Sequence, residues 1–215
     1  TVFHEFGHGL HHLLSLVEEP SVTGISGVPW DAVELPSQFL ENWCWERGAL
    51  DLVTSHVDTG ESLPDTLLQK LRGARNFQSG MQMVRQLEFA LFDFRLHAST
   101  AQISPDALLR VLDEVRQQVA VVTPPTFDRF PHAFSHIFAG GYAAGYYGYL
   151  WSEVLSADAY DRFEQEGVFN ATAGRAFMQH VLETGGVEEP LDVFKAFRGR
   201  EPSINAFLRH SGLNT

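Results

Sequence analysis

Cysteine is almost missing from this chain: Cys44 is the only one in 215 residues. No disulfide can form within it, and a reducing compartment such as the cytosol fits that usage better than an oxidising one. Positive charge is also scarce. Fifteen Lys/Arg stand against 27 Asp/Glu, a formal net charge of −12, and no basic cluster is present to release phosphate counterions, which argues against a nucleic-acid partner. Residues 1–60 hold nine acidic residues and one arginine, a bias that suits a cation or a basic peptide and equally a solubilising surface. Apolar runs are short: none approaches the roughly 18 residues that would span a bilayer, and no stretch reads as a basic-then-apolar leader. A cytoplasmic protein without a membrane partner is the expectation.

What is present is enough apolar material, 44% of the chain, to build one good-sized core or two small ones. Its spacing is helical in most places, as in Leu67, Leu68, Leu71 and in Leu108, Leu109, Val111, Leu112, Val115. The fold class read from this pattern is mainly α. Ser104 followed by Pro105 predicts an N-cap and first-turn proline for a helix to about Val122, ended by Thr123-Pro124-Pro125. A second helix is predicted from about Asn170 to Thr184, stopped by Gly185-Gly186. Residues 22–37 and 123–149 are rich in Gly, Pro and aromatics and read as loops, where a helical scaffold commonly places its chemistry. Trp43, Trp45 and Trp151 read as core, and Arg85 and Arg95 as partners for Glu88 or Asp93.

The most specific feature is His4-Glu5-Phe6-Gly7-His8. At about 100° per residue, histidines four apart project from one helical face and can share a metal ion, while the glutamate between them can reach the water that the ion activates. A catalytic zinc takes three protein ligands and keeps one position open. His11 and His12 follow on the same helix, but three donors in one straight row lie too far apart for a tetrahedral cap, so they read as surface or supporting residues. A third ligand from another segment is preferred. Glu34, 26 residues past His8, and Glu41, seven past Glu34, both qualify, one to ligate and the other to support a histidine. Spacing alone does not choose between them.

Taken together, "HEFGHGLHH", "GISGVPWDAVELPSQFLENWCWE" and "FSHIFAGGYAAGYYGYLWSEV" resemble the thimet oligopeptidase family of zinc peptidases, and the likeness continues through "RQLEFALFDFRLH" to the terminal "GGVEEPLDVFKAFRGREPSINAFLRHSG". The resemblance implies a zincin-type, mainly α catalytic half with Gly/Pro-rich active-site loops. It implies one Zn²⁺ held by His4, His8 and Glu34, with Glu5 as general base. It also places substrate-binding and oxyanion-stabilising roles on His136, Tyr142 and Tyr149, with Tyr146 a weaker candidate. Members of the family carry a long helical N-terminal half before the first motif, so residues 1–215 are expected to be the C-terminal catalytic region of a larger peptidase, and that half its missing partner. The implied substrates are short peptides cut at an internal amide.

Two other readings stay open from the sequence. One is a peptidyl-dipeptidase of the same fold; the other is a helical module that binds metal or peptide without turnover. The segment "GGYAAGYYGY" also has a plain packing interpretation, in which glycines let helices approach and tyrosines such as Tyr147 fill the core.

Overall fold

Capping residues act where the sequence puts them, in a computed structural model that describes residues 1–99 and 103–213. Among the described residues there are twelve α-helical segments and no strand. The first five are α1 (Val2–Leu14), α2 (Leu35–Glu41), α3 (Arg47–Val53), α4 (Asp65–Arg75) and α5 (Ser79–His97). Then come α6 (Pro105–Val119), α7 (Phe130–Ala133), α8 (Ser135–Phe138) and α9 (Gly148–Glu166), followed by α10 (Ala171–Phe177), α11 (Pro190–Arg198) and α12 (Asn205–His210). Ser104 caps α6 by accepting from the Ala107 N–H at 3.2 Å, and Pro105 occupies the first turn, where its missing donor costs nothing. Asn170 caps α10 through bonds from the Thr172 and Ala173 amides at 2.8 and 3.0 Å.

Three sequence-based boundaries need correction. The segment 22–37 is not loop to its end, because α2 begins at Leu35; Pro36 sits in its first turn, where no backbone donor is required. The segment 123–149 contains α7, α8 and the start of α9. The helix predicted to reach Thr184 stops being α-helical at Phe177 and widens into a π-turn over Met178–Leu182. Tryptophan 151 is also not core: it is 53% exposed, whereas Trp43 and Trp45 are half-buried.

The chain divides into two compact units, Thr1–Phe77 with Ser152–Thr215, and Gln78–Trp151. In the first, Leu35 and Phe39 of α2 meet Leu155, Ala159, Tyr160 and Phe163 of α9 and Phe177, Val181 and Phe194 further on. Phe39 stacks on Phe177 with centroids 3.9 Å apart, and each such buried ring is worth on the order of 2 kcal/mol over an exposed one. Helix α1 lies on α2 at Gly7, where any Cβ would fall 2.5 Å from the Pro36 carbonyl oxygen and from Ser37 Cα. The connection between α1 and α2 is tied down by Leu16 N–H donating to the Glu183 carbonyl at 3.0 Å, Gly186 N–H to Val22 at 2.8 Å and the Ser152 hydroxyl to Asp31 at 3.0 Å. In the second unit, α5 packs on α6 around Phe92, Leu96 and Leu112, with Phe134 and Ile137 from the 130–138 helices completing the core.

Candidate metal centre

Because Gly7 lets α1 approach α2, the side chains on that face of α1 meet the first turn of α2. His4 and His8 stand edge to face, ring centroids 5.0 Å apart, as a four-residue helical interval requires. Glu34 immediately precedes α2, is only 2% exposed, and points its carboxylate at both rings. Its Oε2 lies 3.3 Å from His4 Nε2 and 3.1 Å from His8 Nε2. The Ser37 hydroxyl, one turn on, sits 2.9 Å from the same oxygen and 3.0 Å from the Glu34 carbonyl, so it donates to one of them at a time and holds the carboxylate's rotamer. Glu41 approaches from the far side of the site: its Oε1 accepts from His4 Nδ1 at 2.6 Å. Spacing made Glu34 and Glu41 alternatives; in space they face opposite nitrogens of one imidazole.

The donor set fits a divalent ion. Ligands at about 2.0–2.1 Å from a common tetrahedral centre stand about 3.3 Å from one another, and the two nitrogen-to-oxygen distances are 3.3 and 3.1 Å. One atom from each of His4, His8 and Glu34 lies within 4.8 Å of the others. Two imidazoles and a carboxylate are also the borderline donors that zinc accepts. The Glu34 carboxylate accepts a hydrogen bond from His8 and holds that imidazole's pKa above its ordinary value, against the opposing effect of burial.

Glu5 lies between the two histidines on α1 with its side chain exposed. His12 is exposed as read from sequence, but His11 is not a surface residue: it is 3% exposed, and neither ring nitrogen has a hydrogen-bond partner among the described residues. It borders a small cavity lined by Val28, Pro29, Leu35, Pro36 and Val181. Burial, with His8 and His12 nearby, lowers its pKa to about 4, so it is neutral at ordinary pH.

His136, Tyr142 and Tyr149 belong to the 78–151 unit, where they form one aromatic group. Tyr142 and Tyr149 stack with centroids 4.9 Å apart, and His136 stands edge-on to them at 6.1 and 6.2 Å. Tyr146 joins the group but spends its hydroxyl on Gln86 at 3.3 Å, and burial pushes its pKa up to about 12. Tyr147 is 39% exposed and touches Phe94 edge-on, so it does not fill the core. Arg85 pairs with Glu88 at 2.6 Å as spacing allowed, while Arg95 donates to Gln118.

The family model described as Peptidase family M3 matches residues 1–213. Oligopeptidase A of Salmonella typhimurium is 60% identical over 213 residues, covering 99% of this chain and 31% of that protein. Oligopeptidase A of Escherichia coli is 59% identical over the same shares. The dipeptidyl carboxypeptidase of Escherichia coli is 36% identical over 218 residues, 100% of this chain and 31% of that protein. The chain thus spans about a third of the length of these relatives.

Proposed function

The chain belongs to peptidase family M3, and from that premise we propose that residues 1–215 act as the catalytic region of a longer zinc-dependent endo-oligopeptidase that hydrolyses short peptides. The observation that carries the proposal is the convergence of His4 Nε2, His8 Nε2 and Glu34 Oε2 on one point. His4 and His8 would hold the ion as neutral imidazoles and Glu34 as a carboxylate, leaving one position for solvent and substrate. Bound there, zinc supplies a Lewis acid and brings the pKa of a coordinated water down to about 7.

The protein's own groups do the rest. Glu5, beside the ligands and open to solvent, takes the proton from the attacking water and returns it to the leaving amine, one carboxylate serving both steps. Tyr142 and Tyr149 donate hydroxyl hydrogen bonds to the oxygen on which negative charge grows, each worth about 2.7–4 kcal/mol in comparable sites, and His136 assists in binding the peptide. The glycines at 140, 141, 145 and 148 suit a segment that folds over bound peptide.

Replacement of Glu5 by Gln tests the assignment on the intact protein. Zinc content should stay at one per chain while hydrolysis of an internally quenched peptide falls by three orders of magnitude or more, in the range expected for loss of a general base and its positioning. Near-normal turnover in E5Q would sink the proposal, and an unmodified protein that holds zinc and peptide without cutting would make it a binding module. The 36% identity to a dipeptidyl carboxypeptidase supports a second reading, release of C-terminal dipeptides. A peptide blocked at its C-terminus separates the two: an endopeptidase cuts it, a peptidyl-dipeptidase does not.

A further inference from the structure

Asp93 has no place in the chemistry above, yet it is fully buried in the 78–151 unit, 0% exposed, on the inner face of α5. A carboxylate in such a position must spend its lone pairs on donors. Two of those donors are backbone amides of the glycine-rich segment: Oδ1 accepts from Ala144 N–H and Oδ2 from Tyr146 N–H, each at 2.9 Å. A third is His97 Nδ1, one turn along α5, at 2.7 Å from Oδ1.

What the carboxylate grips is a strained turn. Ala144 has φ +58°, a left-handed conformation that an L-residue adopts only under strain. It lies inside the turn closed by a 2.8 Å bond from Gly145 N–H to the Tyr142 carbonyl, and the Asp93-bound amide of Tyr146 follows that turn. The Asp93 bonds therefore offset the strain at the bend that sets how Tyr142 is presented to Tyr149, whose rings stack at 4.9 Å.

We infer that Asp93, oriented by His97, is a positioning residue that latches the 142–149 turn and thereby aims the Tyr142 and Tyr149 hydroxyls. This inference rests on the role proposed above for those two tyrosines.

The test uses the intact, metal-loaded protein. In Asp93→Asn, one acceptor oxygen is replaced by an NH₂ that faces backbone donors. The expected result is a 10- to 100-fold fall in kcat with KM changed less than about threefold, the size expected when transition-state donors are misplaced by an ångström or less. Zinc content should not change. On metal-free protein, the Ala144 and Tyr146 amides should exchange faster in Asp93→Asn, while amides of α6 at Leu112 and Val115 keep their protection. A second change, Ala144→Gly, removes the left-handed strain and should restore most of the lost kcat. In a Tyr142→Phe, Tyr149→Phe background, Asp93→Asn should cost less than about threefold more, because the groups it aims are gone.

Asp93→Asn with wild-type kcat, beside an impaired double tyrosine variant, overturns the latch alone. A full extra loss on top of that variant overturns it too, since Asp93 would then act elsewhere. A double tyrosine variant with wild-type kcat removes the proposed role of the tyrosines and the latch with it. Should Asp93→Asn not fold, Ala144→Val strains the same turn from its exposed side. The same fall in kcat is then expected, and unchanged kcat refutes the inference.

Discussion

Glu41 and His11 are the two residues near the candidate centre whose environments differ most from their look in the sequence. Glu41 is half exposed, yet its bond to His4 Nδ1 at 2.6 Å fixes the tautomer that leaves Nε2 facing the site. Glu41→Ala should weaken zinc affinity by 10- to 100-fold without unfolding the chain, read by competition with a chromophoric chelator. Unaltered affinity would mean that packing alone orients His4. His11 is a matter of burial. Its folded pKa of about 4 lies below the ordinary 6.5, so as pH falls the unfolded chain takes up the proton first. The resulting stability is present in full above about 6.5, is lost between 6.5 and 4, and amounts to on the order of 3 kcal/mol over that window. His11→Leu in metal-free protein should flatten this part of the pH dependence of urea unfolding. The opposite shift at His8 is shared by both proteins and largely cancels in the comparison. A variant as acid-sensitive as its parent would refute the assignment. The seven-residue interval from His4 does put His11 on the α1 face toward α2; what the sequence did not show was that no hydrogen-bond partner among the described residues would meet it.

Among elements, the crossing of α1 over α2 decides whether a site exists. Histidines four apart and the Ser-Pro and Asn starts were readable, because caps and helical period are local properties, whereas α6 ends at Val119, short of the Thr123-Pro124-Pro125 stop read from the sequence. The π-turn at Met178–Leu182 was not readable, since it depends on how α10 meets neighbours far along the chain. Nor was the reason for Gly7, which reads as an incidental residue between two ligands. A methyl there would lie 2.5 Å from the Pro36 carbonyl oxygen, closer than Cβ atoms come to anything, and the obstacle is backbone that has no rotamer to change. Gly7→Ala should therefore push the helices apart, cost about 1–3 kcal/mol despite alanine's better helix propensity, and lower zinc affinity because His4 and His8 ride on α1 while Glu34 rides on α2. Gly9→Ala, with nothing within 4 Å of the added carbon, is the control and should be neutral or slightly stabilising. Equal zinc affinity in Gly7→Ala and Gly9→Ala would show that the crossing does not set the ligand geometry.

For the whole molecule, the same crossing makes metal binding a matter of stability. A lone cysteine gives no disulfide to hold α1 against α2, and the link between them is a stretch of about twenty residues fixed by a few backbone bonds. An ion shared by His4, His8 and Glu34 would staple that link at its two ends, and any group that binds only the folded chain stabilises it by mass action. At free zinc a thousand times Kd the gain is about 4 kcal/mol. In a domain of this length each kcal/mol moves the unfolding midpoint by roughly 2–4 °C, so chelation should lower it by about 8–16 °C. In His8→Ala the same chelator should do almost nothing, because two remaining donors hold zinc weakly. Hydrogen exchange gives the finer reading: on chelation, amides of α1 and the first turn of α2 should lose protection ahead of the Phe39–Phe177 core that does not depend on the ion. A midpoint unmoved by chelation, in a protein shown to have held zinc, would mean that the ion sits on a surface already closed without it.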